Sequence, residues 1–534
     1  MASVQVRSVD FELSSSKATF SLPKLAPYLL VALFSGVFLL PFLRTMTWNL
    51  DEGIYLYGAQ VTALGAIPGR DFVELQGPGT FYWLALFFKV FGPNLFTARA
   101  LLLLTGTLTA VLIFHLSRRL GAVGLFAAVF VTATSIPLDV MNSPHYDSNL
   151  FALLSFTVFL YAVRQLETGS AHPHLKGILL ASGALAGFTT CFLQQKGVYL
   201  ALAFVVTLAL LHRKTWVRLA GPMAAGYACV VLTEFLLYAY AQALPSLIYA
   251  NFTWPLSTYE SVNRCLYGFD LRESLWRAWF STLHIRFSAP LAFAGATLFS
   301  VPYLLILAVP LLLPAITLRR RSIAFRRDLI PYWIAGYALW ASELHRVDLG
   351  HLRNGCLILV VLFFSICERQ RKSILNRAAL SIVACLVLSA TGNVLAACGY
   401  NVPLHTRRGI LFASERNTAL EFLLSNTKPG EAVFVYPYAP LYYFLADVRN
   451  PTRWSNLMYG INTGEHFREA VHDLEREKVH YVLWDISFPA KAIATIFPAY
   501  HEPPPAQLIM EPYLETHYHQ IAFENGFRIL ERNN

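Results

Sequence analysis

Asp51 and Glu52 stand side by side in 48-WNLDEGIYLYGAQ-60, at the end of an apolar run long enough to cross a bilayer. Acids in that position can take a proton from an attacking hydroxyl or hold a hard divalent cation. They can also do no more than cap the helix that follows. Their company favours chemistry. Arg70, Asp71, Glu74 and Gln76 follow in the same loop, His145 and Asp147 lie in 145-HYDSNL-150, and Lys196 opens 194-QQKGVYL-200. Arg346, Asp348, His351 and Arg353 crowd one later turn. A charged side chain inserted in a membrane costs about 2.5–3.5 kcal/mol on insertion scales, so its position usually carries information. Groups of both signs converging beside a bilayer suit proton transfer next to an anionic lipid headgroup. Lys196, Arg346, Arg353 and Arg70 are then candidate phosphate contacts. The alternative is that the long basic chains only reach the headgroups, and that Arg70 only pairs with Asp71 on the surface. His345, Asp348 and His351 offer metal-ligand types, but spaced three apart they converge only in a turn.

These groups need a membrane scaffold to position them. The chain has 534 residues, 56% of them hydrophobic and 14% charged, with a mean hydropathy of +0.48; a soluble fold would need more polar surface. About eleven apolar runs meet the length criterion for spans: 27–46, 95–117, 122–138, 149–163, 178–193, 198–211, 219–240, 289–318, 329–342, 352–367 and 378–398. The first lacks a small-residue cleavage site and reads as a retained signal anchor. Basic residues cluster in alternate connections, including Arg118-Arg119, Arg213-Lys214 and 319-RRRSIAFRRD-328. The positive-inside rule puts these in the cytoplasm, so the net charge of +10 serves orientation and not nucleic-acid binding. The opposite connections, with every candidate residue above, face outward. Two apolar segments of the first outer loop, 54–64 and 79–91, are too short to span and suit helices lying along the interface. Seven cysteines show no metal-ligand or disulfide pattern.

The expected organisation is therefore a cytoplasmic tail (1–24), a transmembrane domain (25–400) with interfacial helices within 51–94, and an extracytoplasmic α/β domain (401–534). In that last part 417–426 and 465–478 read as amphipathic helices and 432–436 and 481–485 as buried strands. A strand pair over 519–532 turns at Glu524-Asn525-Gly526.

The order Asp-Glu-Gly-x-Tyr, Gly-x-Ile-Pro-x-x-Asp-Phe, Gly-Pro with an aromatic-rich helix, then Phe-Gly-x5-Ala-Arg appears here as 51-DEGIYLYGAQVTALGAIPGRDFVELQGPGTFYW-83 and 91-FGPNLFTAR-99. It resembles the GT-C membrane glycosyltransferases, and within them the family 39-like group that includes protein O-mannosyltransferases and the lipid A aminoarabinose transferase. The resemblance covers roughly residues 25–400. It implies an all-α polytopic GT-C fold in a bacterial inner membrane and transfer of a sugar from a polyprenyl-phosphate donor to a lipid, glycan or protein hydroxyl on the extracytoplasmic face. Asp51 would be the catalytic or metal-proximal acid, with Glu52 beside it and Asp147 a looser match to a second acid. Asp51 and Asp147 would be the ligands of a divalent cation (Mg or Mn), if one is used. Asp71, Glu74, His145, Asp348 and His351 would line the pocket. Some relatives carry Lys-Pro where this chain has 74-ELQGP-78, so Lys196 or Arg346 would supply the missing phosphate contact. The competing reading is a multi-pass transporter or flippase of a lipid-linked or anionic substrate, against which the long first loop and the odd span count argue.

Overall fold

The computed structural model describes residues 22–120, 122–168, 173–271, 289–318, 327–369, 374–487 and 490–533. The expected tail up to residue 21 and most of the basic connection 319–328 lie outside these residues.

The membrane part is helical because its apolar runs must satisfy every backbone N–H and C=O internally. Among the described residues, seven helices are long and apolar enough to cross a membrane: Leu25–Leu43, Leu95–Arg119, Pro144–Glu167, Leu175–Phe192, Gln194–Leu211, Trp216–Tyr240 and Arg377–Cys398. Leu349–Gly355 and Leu357–Glu368 are together long and apolar enough but bend by 66° between them, the geometry of a broken span or a re-entrant loop. The other expected runs are helical too, as Leu125–Thr134, Ala289–Leu318 and Ile330–Ala341. Two of these correct the sequence reading. Leu125–Thr134 has 10 residues and Ile330–Ala341 has 12, too short to cross a core of about 30 Å. The first gives way to the 3-10 turn Ile136–Leu138, where Pro137 has no N–H to continue the ladder.

Lipid offers no hydrophobic drive between helices, so close backbone approach matters. Helix Leu175–Phe192 lies against Trp216–Tyr240 so tightly that a Cβ on Gly183 would sit 1.8 Å from the Met223 carbonyl oxygen.

After Cys398 the chain forms an antiparallel pair, β1 (Val402–Thr406) and β2 (Gly409–Ala413), and a four-stranded sheet. The sheet is ordered β3 (Val433–Tyr436), β4 (Tyr481–Asp485), β6 (Phe527–Arg532), β5 (Tyr518–Glu524). β3 and β4 run parallel with Val433 opposite Tyr481, and the other neighbours are antiparallel. Asn525 (φ 48°) and Gly526 (φ 83°) close the β5–β6 hairpin with two left-handed residues, matching the right-handed strand twist.

This domain does not stand apart from the membrane part. The helices Leu50–Ala63 and Gly79–Phe91 share one buried core with Thr418–Asn426 and the short buried helix Leu441–Leu445. Backbone bonds add to it: Met46 N–H donates to the Phe412 carbonyl at 2.8 Å, and Val73 N–H to that of Arg453 at 2.8 Å. The glycine of Asp-Glu-Gly is explained here, because a Cβ on Gly53 would lie 2.1 Å from the backbone nitrogen of Leu441.

Candidate active site

Asn49, and not Asp51, caps helix Leu50–Ala63: its side-chain oxygen accepts from the Asp51 N–H at 3.1 Å. That removes helix capping as the reason for Asp51. The amide of Asn49 also donates to Asp139 at 3.1 Å, so one residue caps the helix that carries Asp51 and holds the Asp139 carboxylate. Asp51 is exposed on the wall of a cavity of about 340 Å³ formed between connections of the helical part and the C-terminal domain. The Tyr438 hydroxyl, from the far end of the sequence, donates to its carboxylate. Burial, and then the charge of Asp51, push the Tyr438 phenol well above its ordinary range, so it stays a donor.

Five carboxylates line the cavity: Asp51, Glu74, Asp139, Asp270 and Asp348. Arg346 is the one Lys or Arg among its described lining residues. Arg346 is held by Asp348, by the Asn263 side chain at 2.8 Å and by the Ile496 carbonyl at 2.9 Å, with its guanidinium 4.8 Å from the Phe497 ring centroid. Burial works against the Asp348 charge, but His351 and Arg346 outweigh it and hold this carboxyl well below the carboxylate range. Burial raises Asp139 despite the opposing charge of Arg353, 3.2 Å away. Glu74 is 4% exposed, and burial lifts it to about 8, with Asp51 adding to the rise and the Ser455 hydroxyl opposing it. Raised acids carry less charge at neutral pH, which lowers the repulsion an anionic substrate meets.

Of the residues singled out from sequence, Asp51, Glu74, Gln76, His145, Arg346, Asp348 and His351 meet at this cavity. The others are elsewhere. Glu52 is fully buried against Arg99, 2.7 Å away, and accepts from Asn142 N–H at 3.2 Å, which gives the Ala-Arg end of the motif a structural role. Lys196 is fully buried, 2.8 Å from Glu343 and 2.8 Å from the Asn149 side-chain oxygen. Arg70 pairs with Asp71 at 2.8 Å on the surface. Arg353 reaches Asp139 and the Tyr146 hydroxyl from behind the cavity wall. Asp147 lies in the first turn of helix Pro144–Glu167 and is not among the residues that line the cavity. From Lys196 inward, Glu343 also faces His145 at 3.5 Å, the His145 and His351 rings lie 4.9 Å apart, and His351 bonds Asp348 at 2.7 Å. A polar chain thus links the buried lysine to the cavity arginine.

Residues 76–238 match the family described as dolichyl-phosphate-mannose-protein mannosyltransferase. The crystal structure of ArnT from Cupriavidus metallidurans bound to undecaprenyl phosphate superposes with a TM-score of 0.53 at 12% identity, covering 95% of this chain and 98% of that one. The chain has a GT-C-type fold. Two structures of an archaeal oligosaccharyltransferase from Archaeoglobus fulgidus share this GT-C fold. One is AglB in complex with an inhibitory peptide and a dolichol-phosphate (TM-score 0.51, 13% identity, 94% of this chain and 73% of that one). The other is the apo form (TM-score 0.53, 14% identity, 88% and 72%). No curated protein sequence matches the chain.

The two ligands that the GT-C resemblance implies for a divalent cation, Asp51 and Asp147, are not brought together at the cavity. Among the described residues no group of three or more His, Cys, Asp or Glu side chains is arranged to hold a metal ion. Asp147 does not line the cavity with Asp51, and His345 with Asp348 and His351 makes no such group either.

Sequence reasoning passed over Asp139, Asp270, Tyr259 and Tyr438, all of them on the cavity wall. Asp139 was open to notice as an acid just after the apolar run 122–138, in a connection expected to face outward. Nothing in the sequence pairs Tyr438 with a residue 387 positions away.

Glu74 gives this chain a stability that depends on pH. Its pKa is raised on folding, so the contribution is complete below the ordinary carboxylate range and is lost as pH rises through about 8. Glu74→Gln removes the titration. Its melting temperature relative to the parent protein should rise between pH 5 and pH 8.5, and equal offsets at both pH values would show that Glu74 ionises normally.

Proposed function

We propose that this chain transfers a sugar from a polyprenyl-phosphate donor to an acceptor hydroxyl on the extracytoplasmic side of a bacterial inner membrane. One observation carries the reading: a carboxylate oriented by a tyrosine hydroxyl shares a cavity with a rigidly held arginine. As the acceptor oxygen bonds to the anomeric carbon, Asp51 takes its proton. The bond from that carbon to the phosphate oxygen breaks, and Arg346 stabilises the charge that grows on the leaving polyprenyl phosphate. The carboxylates Glu74 and Asp139 remain as partners for sugar hydroxyls. Support also comes from ArnT and AglB, whose structures hold undecaprenyl phosphate and dolichol-phosphate.

The test is transfer itself. Membranes containing the chain, supplied with a panel of polyprenyl-phosphate hexoses and pentoses labelled in the sugar, should move label from at least one into an acceptor and release polyprenyl phosphate. Donors recovered intact, with label appearing only across the bilayer, would favour a flippase.

A further inference from the structure

The C-terminal domain holds a second cavity, of about 290 Å³, close to the lower end of the volumes typical of ligand sites. Four aromatic rings line it: Tyr436, Tyr459, Trp484 and Tyr500. Three of them are locked in place. Glu511 accepts from both the Tyr436 and Tyr459 hydroxyls, and Tyr459 stacks on Phe467 with centroids 4.1 Å apart. Trp484 carries the Arg528 guanidinium 4.7 Å from its ring centroid. Rings fixed before binding lose little entropy on meeting a ligand. Glu511, Glu502 and Asp485 add acceptors, and no Lys or Arg is among the described lining residues. Among the described lining residues an anionic ligand would meet acids and no Lys or Arg. A sugar ring suits such a site, since its C–H face lies on aromatic surface while its hydroxyls need acceptors. Position also favours a sugar: Met458 lines this cavity and the Asp51 cavity alike, so the two share a wall.

We propose that this second cavity binds a neutral saccharide, the glycan portion of the acceptor next to the hydroxyl that is glycosylated. The role as acceptor rests on the glycosyl-transfer reading above; the binding itself does not.

The full chain in lipid nanodiscs is probed by saturation-transfer NMR with maltotetraose, cellotetraose and mannotetraose, and with an uncharged Ser/Thr tetrapeptide. At least one sugar should receive saturation, Trp484→Ala should weaken its binding by about fivefold or more, and Trp484→Phe should restore most of it. Three silent sugars, saturation of the peptide alone, or equal affinity in a folded Trp484→Ala protein would overturn the proposal. Asp51→Asn separates the two readings. It should abolish transfer and leave sugar binding unchanged, whereas parent protein that transfers sugar but binds none of the three sugars contradicts only the second site.

Discussion

Asp51→Asn should lower the rate of sugar transfer at saturating donor by about 10²–10⁴-fold, the usual contribution of a positioned general base. The substitution is nearly isosteric, and its side-chain oxygen can still accept from Tyr438, so the fold and the affinity for donor lipid should hold. Loss of the proton acceptor then appears in turnover and not in KM. Rates measured in nanodiscs beside melting curves check this, and turnover within about threefold of the parent would remove Asp51 from the chemistry.

The second large effect concerns stability. Arg99 and Glu52 are both fully buried and 2.7 Å apart. Removing one partner of such a pair strands the other's charge, at a cost of about 3–5 kcal/mol. Arg99→Ala should therefore melt far below the parent protein or fail to accumulate in membranes. The paired replacement Glu52→Leu with Arg99→Met removes both charges at similar volume and should recover most of the loss. If Arg99→Ala melts like the parent, or the double variant fares worse than the single one, the pair is not the anchor of the outer loop. Because Glu52 is the residue after Asp51, a failed anchor would also disturb the cavity. Transfer by the double variant thus reports whether the pair acts only through structure.

Apolar runs and basic connections declare a polytopic membrane chain because bilayer thickness constrains helix length directly. The hairpin over Asn525-Gly526 was equally plain from its turn chemistry. The strands β1 and β2 were not, since Pro403 interrupts 402-VPLHT-406 and the paired residues show no clean alternation. Charged residues were harder to sort. Lys196 and Arg346 look alike in sequence, each a cation at the end of an apolar run. What separates them is tertiary: Glu343 and Asn149 enclose the first, while Asp348 and Asn263 hold the second on a cavity wall. The same holds for Asp51, whose apparent capping role passed to Asn49 two residues earlier. The contribution of the C-terminal domain to the cavity depends on contacts hundreds of residues apart, which no local pattern records.

The most direct test is an experimental structure of the full chain in nanodiscs with polyprenyl phosphate bound. The account predicts the phosphate within hydrogen-bond distance of the Arg346 guanidinium, inside the cavity that Asp51 and Tyr438 line. A phosphate seated at the basic connections of the opposite face, with Arg346 still engaged only by Asp348 and Asn263, would contradict it.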